Sequence, residues 1–255
     1  MFKKNILYLT IGLLVGLYLG FLSANMVGRA RLEASRTPGG ARPEGQSASN
    51  GKAGAPASGA QQTPAVTDQQ IREAIAKTDS RPDDINLQRN FGRALYQYAN
   101  QTQDARYLAD VARFFKRVYD ANPKDREITV ELANVLFDIG QTSAPEGYSK
   151  ARVYYLKALE MKPDDASVHT DLGQTYYYGE PSEPQRAIAE YRKSLQLAPR
   201  DERALQSLAT ALISTGNREE AQRRIEELRS INPDNPSLSN LRAQLAQSKN
   251  AAAQE

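Results

Sequence analysis

The stretch ASVHTDLGQTYYYGEPSEPQRAIAEYRKSLQLAP, residues 166–199, decides the fold. His169, Leu172-Gly173 and Tyr176 fall on one face of a first helix. Ala187 and Tyr191 do the same on a second, and Pro199 closes the unit. The arrangement returns in 202–233 as Leu205, Leu208-Ala209, Leu212, Ala221, Ile225 and Pro233, with Gly216-Asn217 as the turn between helices. It returns in 126–163 as Thr129, Leu132-Ala133, Leu136, Ala151, Tyr155 and Pro163. Its loosest copy is 85–123, with Gln88, Phe91-Gly92, Leu95, Val111, Phe115 and Pro123. Pro82, Pro123, Pro163, Pro199 and Pro233 therefore form a ladder whose rungs lie 41, 40, 36 and 34 residues apart by subtraction.

Small residues at Gly92, Ala133, Gly173 and Ala209 let each first helix approach its second. Large apolar residues three to four positions away fill the space between hairpins. Each hairpin leaves an apolar face that only its neighbour covers, so stability is a sum of stacking terms. These motifs resemble the tetratricopeptide repeat, whose 34-residue pattern runs W-x2-L-G-x2-Y…A-x3-F…P. The resemblance implies an all-α superhelix, an α-solenoid of about four helix-turn-helix repeats with flanking capping helices. The repeats are 85–123, 126–163, 166–199 and 202–233, inside a domain spanning 67–247. Thr67 reads as the N-cap of a capping helix over 67–79, and a last helix is expected over 236–247, followed by a flexible tail at 248–255. Asp83-Asp84 and Asp164-Asp165, just after prolines, read as N-caps. The residues in excess of the family period fall between the two helices of a hairpin. They are Asn100-Gln101-Thr102-Gln103, Thr142-Ser143-Ala144-Pro145-Glu146-Gly147 and Pro181-Ser182-Glu183-Pro184. These polar runs read as turns, tolerated as loop drift in preference to a lateral contact surface.

The N-terminal third is different in kind. Ile6 to Val27 carries no charge over 22 residues, enough to cross a hydrocarbon core of about 30 Å as a helix. Residues 1–27 thus read as a transmembrane signal-anchor, favoured over a cleaved signal peptide, whose apolar region runs about 7–15 residues. Gly12, Gly16, Gly20, Ala24 and Gly28 recur every fourth position. That stripe lets another helix backbone come close and suits self-association into a homo-oligomer; frequent glycine in membrane helices is the bland alternative. Lys3 and Lys4 precede the span, and Arg29, Arg31 and Arg36 follow it, so the charge rule decides little. The short leading segment favours the body on the non-cytoplasmic, periplasmic side of a single-pass membrane protein. Residues 28–66 are rich in Gly, Ala, Pro, Ser and Gln and read as a disordered linker.

The charge balance excludes several functions. The chain carries +3, but all of that lies before Thr67 and the repeat body is near −2. No basic patch points to nucleic acid. There is no cysteine, which removes thiol catalysis and thiolate metal sites. No phosphate loop, nucleophile motif or metal spacing is present, so no cofactor and no enzyme activity are expected. His169, the only histidine, occupies a packing position and reads as a space-filler.

In the tetratricopeptide family a concave groove is lined by first-helix positions two, five, nine, twelve and thirteen. Carried over, the resemblance implies Asn86, Arg89, Arg93, Tyr96 and Gln97 in the first repeat, and Glu127, Val130, Asn134, Phe137 and Asp138 in the second. The third gives Ser167, Thr170, Gln174, Tyr177 and Tyr178, and the fourth Arg203, Gln206, Thr210, Ile213 and Ser214. Asn134, Gln174 and Thr210 suit the backbone of an extended peptide, and Tyr96, Phe137, Tyr177 and Tyr178 suit aromatic anchoring. Arg89 and Arg93 are expected to take an acidic or C-terminal carboxylate, although the family's chaperone-type clamp is not reproduced. The functional expectation is a membrane-anchored scaffold or adaptor that binds another protein's segment, with a role in assembling or maturing a cell-envelope complex. A secreted soluble repeat protein is the alternative, and the layout is also similar to the repeat modules of cytochrome c maturation factors.

Overall fold

The computed structural model describes residues 66–252, with side-chain surroundings through Ser248. The expected membrane helix, the small-residue stripe Gly12, Gly16, Gly20 and Ala24, and the linker to residue 65 lie outside the described residues. Among the described residues no helix is long and apolar enough to cross a membrane. The chain separates into two compact units, one ending at Ala74 and one starting at Ile75. In the first, Thr67 and Gln70 form a reciprocal cap: the Thr67 N–H donates to Gln70 Oε1 at 2.9 Å, and the Gln70 N–H to Thr67 Oγ1 at 3.3 Å. They open α1, Asp68–Asp79, which runs on into the second unit.

The second unit is an all-α solenoid. Its hairpins pair α2 (Ile85–Thr102) with α3 (Leu108–Ala121), α4 (Arg126–Thr142) with α5 (Glu146–Met161), α6 (Ala166–Tyr178) with α7 (Pro184–Leu197), and α8 (Glu202–Ser214) with α9 (Arg218–Ile231). A 3-10 turn, Ala105–Tyr107, precedes α3, and α10 (Leu238–Ala252) follows the last hairpin. Each helix packs on the next, and α10 packs on both α8 and α9. There Leu238, Leu241 and Leu245 cover the apolar face that the last hairpin would otherwise expose. The final helix continues past residue 247 into the stretch expected to be a tail.

The proline ladder has a local cause. A residue before proline is driven out of the α region. Asn122, Lys162, Ala198 and Asn232 all stop their helices outside the α region, with φ of −147°, −146°, −134° and −143°. Two residues after each of Pro82, Pro123, Pro163 and Pro199 stands an aspartate that caps the next first helix. Asp84 accepts from Leu87 N, Asp125 from Glu127 N and Ile128 N, Asp165 from Val168 N, and Asp201 from Ala204 N. The second helices have no side-chain cap. Their entry is fixed by packing.

Close approach within hairpins explains the small residues. A Cβ on Gly173 would stand 2.5 Å from the Tyr191 ring, and one on Gly92 2.8 Å from Phe115. Tyr155, Tyr191, Leu172, Leu205, Leu208 and Leu212 are enclosed beside them, each large apolar side chain contributing about 1.5–3 kcal/mol. His169 is buried too, as expected of a packing residue. Its Nδ1 lies 2.7 Å from Glu190 Oε2 and its Nε2 2.9 Å from the Pro163 carbonyl, tying α6 to α7 and to the preceding turn.

The extra residues of the first two repeats are turns only in part: Gln103 and Ser143 to Pro145 connect helices, as expected. Asn100, Gln101 and Thr102 are helical in α2, and Thr142 is helical in α4. First helices of 18 and 17 residues replace the 13 of α6 and α8. One helical turn is about 3.6 residues, so adding a turn lengthens the helix while keeping its apolar face in register. Of the third run, Pro181, Ser182 and Glu183 lie in a connecting loop, Gly179 to Glu183, and Pro184 opens α7. The loop is pinned: Arg152 and Arg186 sandwich the Tyr176 ring, both at 4.3 Å from its centroid, and both bind Glu183 at 2.8 Å.

Candidate functional site

Side chains of the first helices α2, α4, α6 and α8 meet those of the neighbouring repeat, and these contacts define what their common face can bind. Arg89 pairs with Asp125, the cap of α4. Arg93 Nε meets Glu131 Oε1 at 2.7 Å, and its Nη2 lies 3.0 Å from Glu127 Oε2. Arg126 meets Asp165 at 2.5 Å, and Arg203 pairs with Asp171 on α6. Arg89 and Arg93, expected to receive a partner's carboxylate, are thus held by carboxylates of the following repeat. Those carboxylates lie 36 and 38 residues away in sequence.

The remaining expected residues divide. The Tyr96 hydroxyl donates to Asp138 Oδ2 at 2.5 Å. Asn134 accepts at Oδ1 from the Tyr155 hydroxyl at 2.9 Å, and its amide NH2 makes no hydrogen bond among the described residues. Gln174 Nε2 reaches Ser207 Oγ at 3.5 Å, and Thr210 donates to the Gln206 carbonyl at 3.0 Å; Asn134, Gln174, Gln206 and Thr210 are half-buried. Phe137 is buried, packed edge-on against Tyr148, and so offers little surface. Tyr177 and Tyr178 meet edge to face with centroids 5.0 Å apart, and Tyr178 also stacks on Tyr148 at 6.1 Å while staying 50% exposed. Thr170 is not on the face: it is enclosed and donates to Ser194 Oγ at 2.8 Å inside its hairpin.

Electrostatically the centre of the face is an acidic, partly dry place. Burial raises the Glu131 carboxyl above its ordinary range, with Arg93 pulling the other way. Burial raises Asp171 likewise, against Arg203, and raises Asp138, against the Tyr96 hydrogen bond alone. The Tyr96 phenol is raised by burial and then by the Asp138 charge. Tyr155 is raised by burial, then by the nearby Asp171, Tyr96 and Asp138. At the cap positions the balance reverses: burial disfavours the Asp125 and Asp165 carboxylates, but arginine and the helix N–H groups outweigh it and hold both below their ordinary values.

Glu131 and Asp171 were not named from sequence, and Tyr155 was named only as a packing residue of its repeat. Asp138 occupies position thirteen of a first helix, so the groove pattern contained it. Its importance lies in lacking a cation, which no local pattern shows. Among the described residues no group of His, Asp and Glu converges as metal ligands.

Comparison with known proteins supports the architecture. The tetratricopeptide repeat family model matches residues 181–245, about a quarter of the chain. No curated protein matches. Among solved structures, a MamA crystal structure superposes with a TM-score of 0.51 at 20% identity, covering 64% of this chain and 86% of that one. MamA from Desulfovibrio magneticus RS-1 gives 0.53 at 17% identity, covering 66% and 89%. YrrB, a tetratricopeptide repeat protein with an unusual peptide-binding site, gives 0.54 at 15% identity, covering 69% and 84%. The likeness is one of fold: an all-α solenoid resembling tetratricopeptide repeat proteins.

Proposed function

We propose that this chain is a protein-interaction scaffold that holds an extended segment of a partner across the face of α2, α4, α6 and α8. The observation that carries it is the line of polar capacity left on that face: the Asn134 amide NH2, the Gln174 side-chain carbonyl and the acceptor side of the Thr210 hydroxyl, with Tyr177 and Tyr178 alongside. Amides at regular spacing suit a peptide backbone, and exposed tyrosines supply rigid contact area. The peptide-binding site of the similar YrrB is in keeping with this reading.

The scaffold is tethered to a membrane by residues 6–27 and spaced from it by the Gly/Ala/Pro/Ser/Gln-rich stretch that follows. The repeat domain faces the non-cytoplasmic side, and the small-residue stripe at Gly12, Gly16, Gly20 and Ala24 pairs spans in the bilayer. A tethered groove of this kind suits assembly or maturation of an envelope complex, where a client segment is held near the bilayer. No catalytic step is assigned to it.

Photoreactive residues at Arg93, Asn134 and Gln174 test the groove in cells. Partner adducts are expected from these positions and not from Lys116, Val153 or Arg192 on the second helices. Adducts from the second-helix positions alone would reverse the assignment. For the tether, the full chain is expected to stay with membranes in alkaline carbonate, and a chain lacking residues 1–27 to be released; equal release of both would remove the anchor.

A further inference from the structure

Among the charges of the first helices, only Asp138 and Glu202 have no cation partner among the described residues, and Glu202 is taken up by the Asn232 and Asn235 amides. Arg89 is taken by Asp125, Arg93 by Glu127 and Glu131, and Arg203 by Asp171. Asp138 has the Tyr96 phenol at 2.5 Å, and among the described residues no Lys, Arg or His nitrogen reaches it. Its Oδ1 accepts no hydrogen bond among the described residues and is not fully enclosed, and Asp138 is half-buried. Asn134 lies one helical turn before it, and the Tyr155 hydroxyl sits beneath Asn134.

We infer that the segment held on this face carries a lysine or arginine, whose cation is received by Asp138 beside Tyr96 and Asn134. This rests on the reading of the face as a peptide groove and names the chemistry of its occupant. An acidic segment or a C-terminal carboxylate finds no free guanidinium here and meets carboxylates instead, and like charges brought together across an interface disfavour binding. A cation meets a carboxylate already partly stripped of water, where attraction is stronger than at an open surface. Tyr96 fixes one oxygen of Asp138 and leaves the other for the incoming N–H donor. The tyrosine ring adds a face on which a cation can rest.

The test uses the full chain in neutral detergent and four pools of short acetylated, amidated peptides. The pools are identical except for a central Arg, Lys, Gln or Glu. Binding is read by fluorescence anisotropy, and position by photocrosslinking from Gln174. The Arg and Lys pools are expected to bind at least about tenfold tighter than the Gln pool, with the Glu pool weakest. Asp138→Asn should bring the basic pools to the Gln level, and Asp138→Glu should keep their advantage. If the Asn variant loses its cooperative melt, the unaltered chain carries the test: affinity for the basic pools must fall as salt rises while that for the Gln pool holds. Binding that crosslinks to Gln174 but ignores the central charge, or that keeps its preference in Asp138→Asn, overturns the cation site and leaves the groove standing. Failure of every pool to bind, or crosslinks from the second helices only, overturns the groove and the cation site together.

Discussion

The first two hairpins and the last two solve the same packing problem with different parts. In α2 to α5 the first helices are 18 and 17 residues long, against 13 and 13 in α6 and α8. The second and fourth repeats have connectors of equal length, 143–145 and 215–217. Their difference in length therefore lies wholly in helix. The first hairpin is filled by Phe91, Phe114 and Phe115, the fourth by Leu205, Leu208, Leu212 and small alanines. The arginines also point differently: Arg89, Arg93 and Arg126 reach forward to the next repeat, and Arg203 reaches back. Extra length is accepted where a whole turn can be added, because the apolar stripe then stays in register.

The two ends of that comparison use glycine for different reasons, and this gives the largest predicted effect. In the long second hairpin, a Cβ on Gly147 would lie 2.4 Å from the Gly140 nitrogen and 2.5 Å from the Leu136 carbonyl oxygen. Backbone cannot yield as a side-chain tip can, so Gly147→Ala is expected to cost about 3 kcal/mol. In the short fourth hairpin Gly216 has φ of +75° with open space around its Cβ direction. Gly216→Ala there costs only the strain of a left-handed residue, about 1 kcal/mol. Urea unfolding of the two variants measures both. If Gly147→Ala is no worse than Gly216→Ala, the long hairpin is not built on a close backbone approach.

The caps give the next effect. Asp125 and Asp201 both cap first helices, but Asp125 also holds Arg89 from the preceding repeat. Losing a cap costs about 1 kcal/mol, and a part-exposed ion pair adds up to about 1 kcal/mol. Asp125→Ala should therefore destabilise more than Asp201→Ala, and the gap should close when both are measured in an Arg89→Ala background. A gap that persists in that background would mean the forward-reaching arginine adds no stability.

Much of the repeat architecture is legible in the sequence because its causes are local. The residue before each proline leaves the α region, the aspartate two residues after it caps, and the apolar spacing reads as helix within each repeat. What the sequence hides is set by the neighbouring repeat. Arg89 and Arg93 look like free cations because their acceptors are a full repeat away, and Tyr96 meets Asp138 across 42 residues. The polar run Asn100-Gln101-Thr102 has turn composition, yet packing of Leu95 and Ala99 in the same helix carries α2 through it. Phe137, an aromatic at a groove position, spends its ring on Tyr148 instead.

The smallest predicted effect is a dependence on pH that separates the two kinds of carboxylate. Asp79, Asp125 and Asp165 have carboxyls held below their ordinary values: burial opposes ionisation, and their arginine partners outweigh it. Each binds fewer protons folded than unfolded, so its contribution is full above the unfolded value of about 3.9 and is lost as pH falls through the folded value. Glu131, Asp138 and Asp171 are raised by burial. Each binds more protons folded than unfolded, so lowering the pH through their folded values relieves the cost of keeping them ionised. Melting temperature should therefore hold or rise slightly on acidification from neutral, then drop below about pH 4. A melting temperature that falls steadily from neutral pH would show that the cap and arginine pairs do not set the acid limit of the fold.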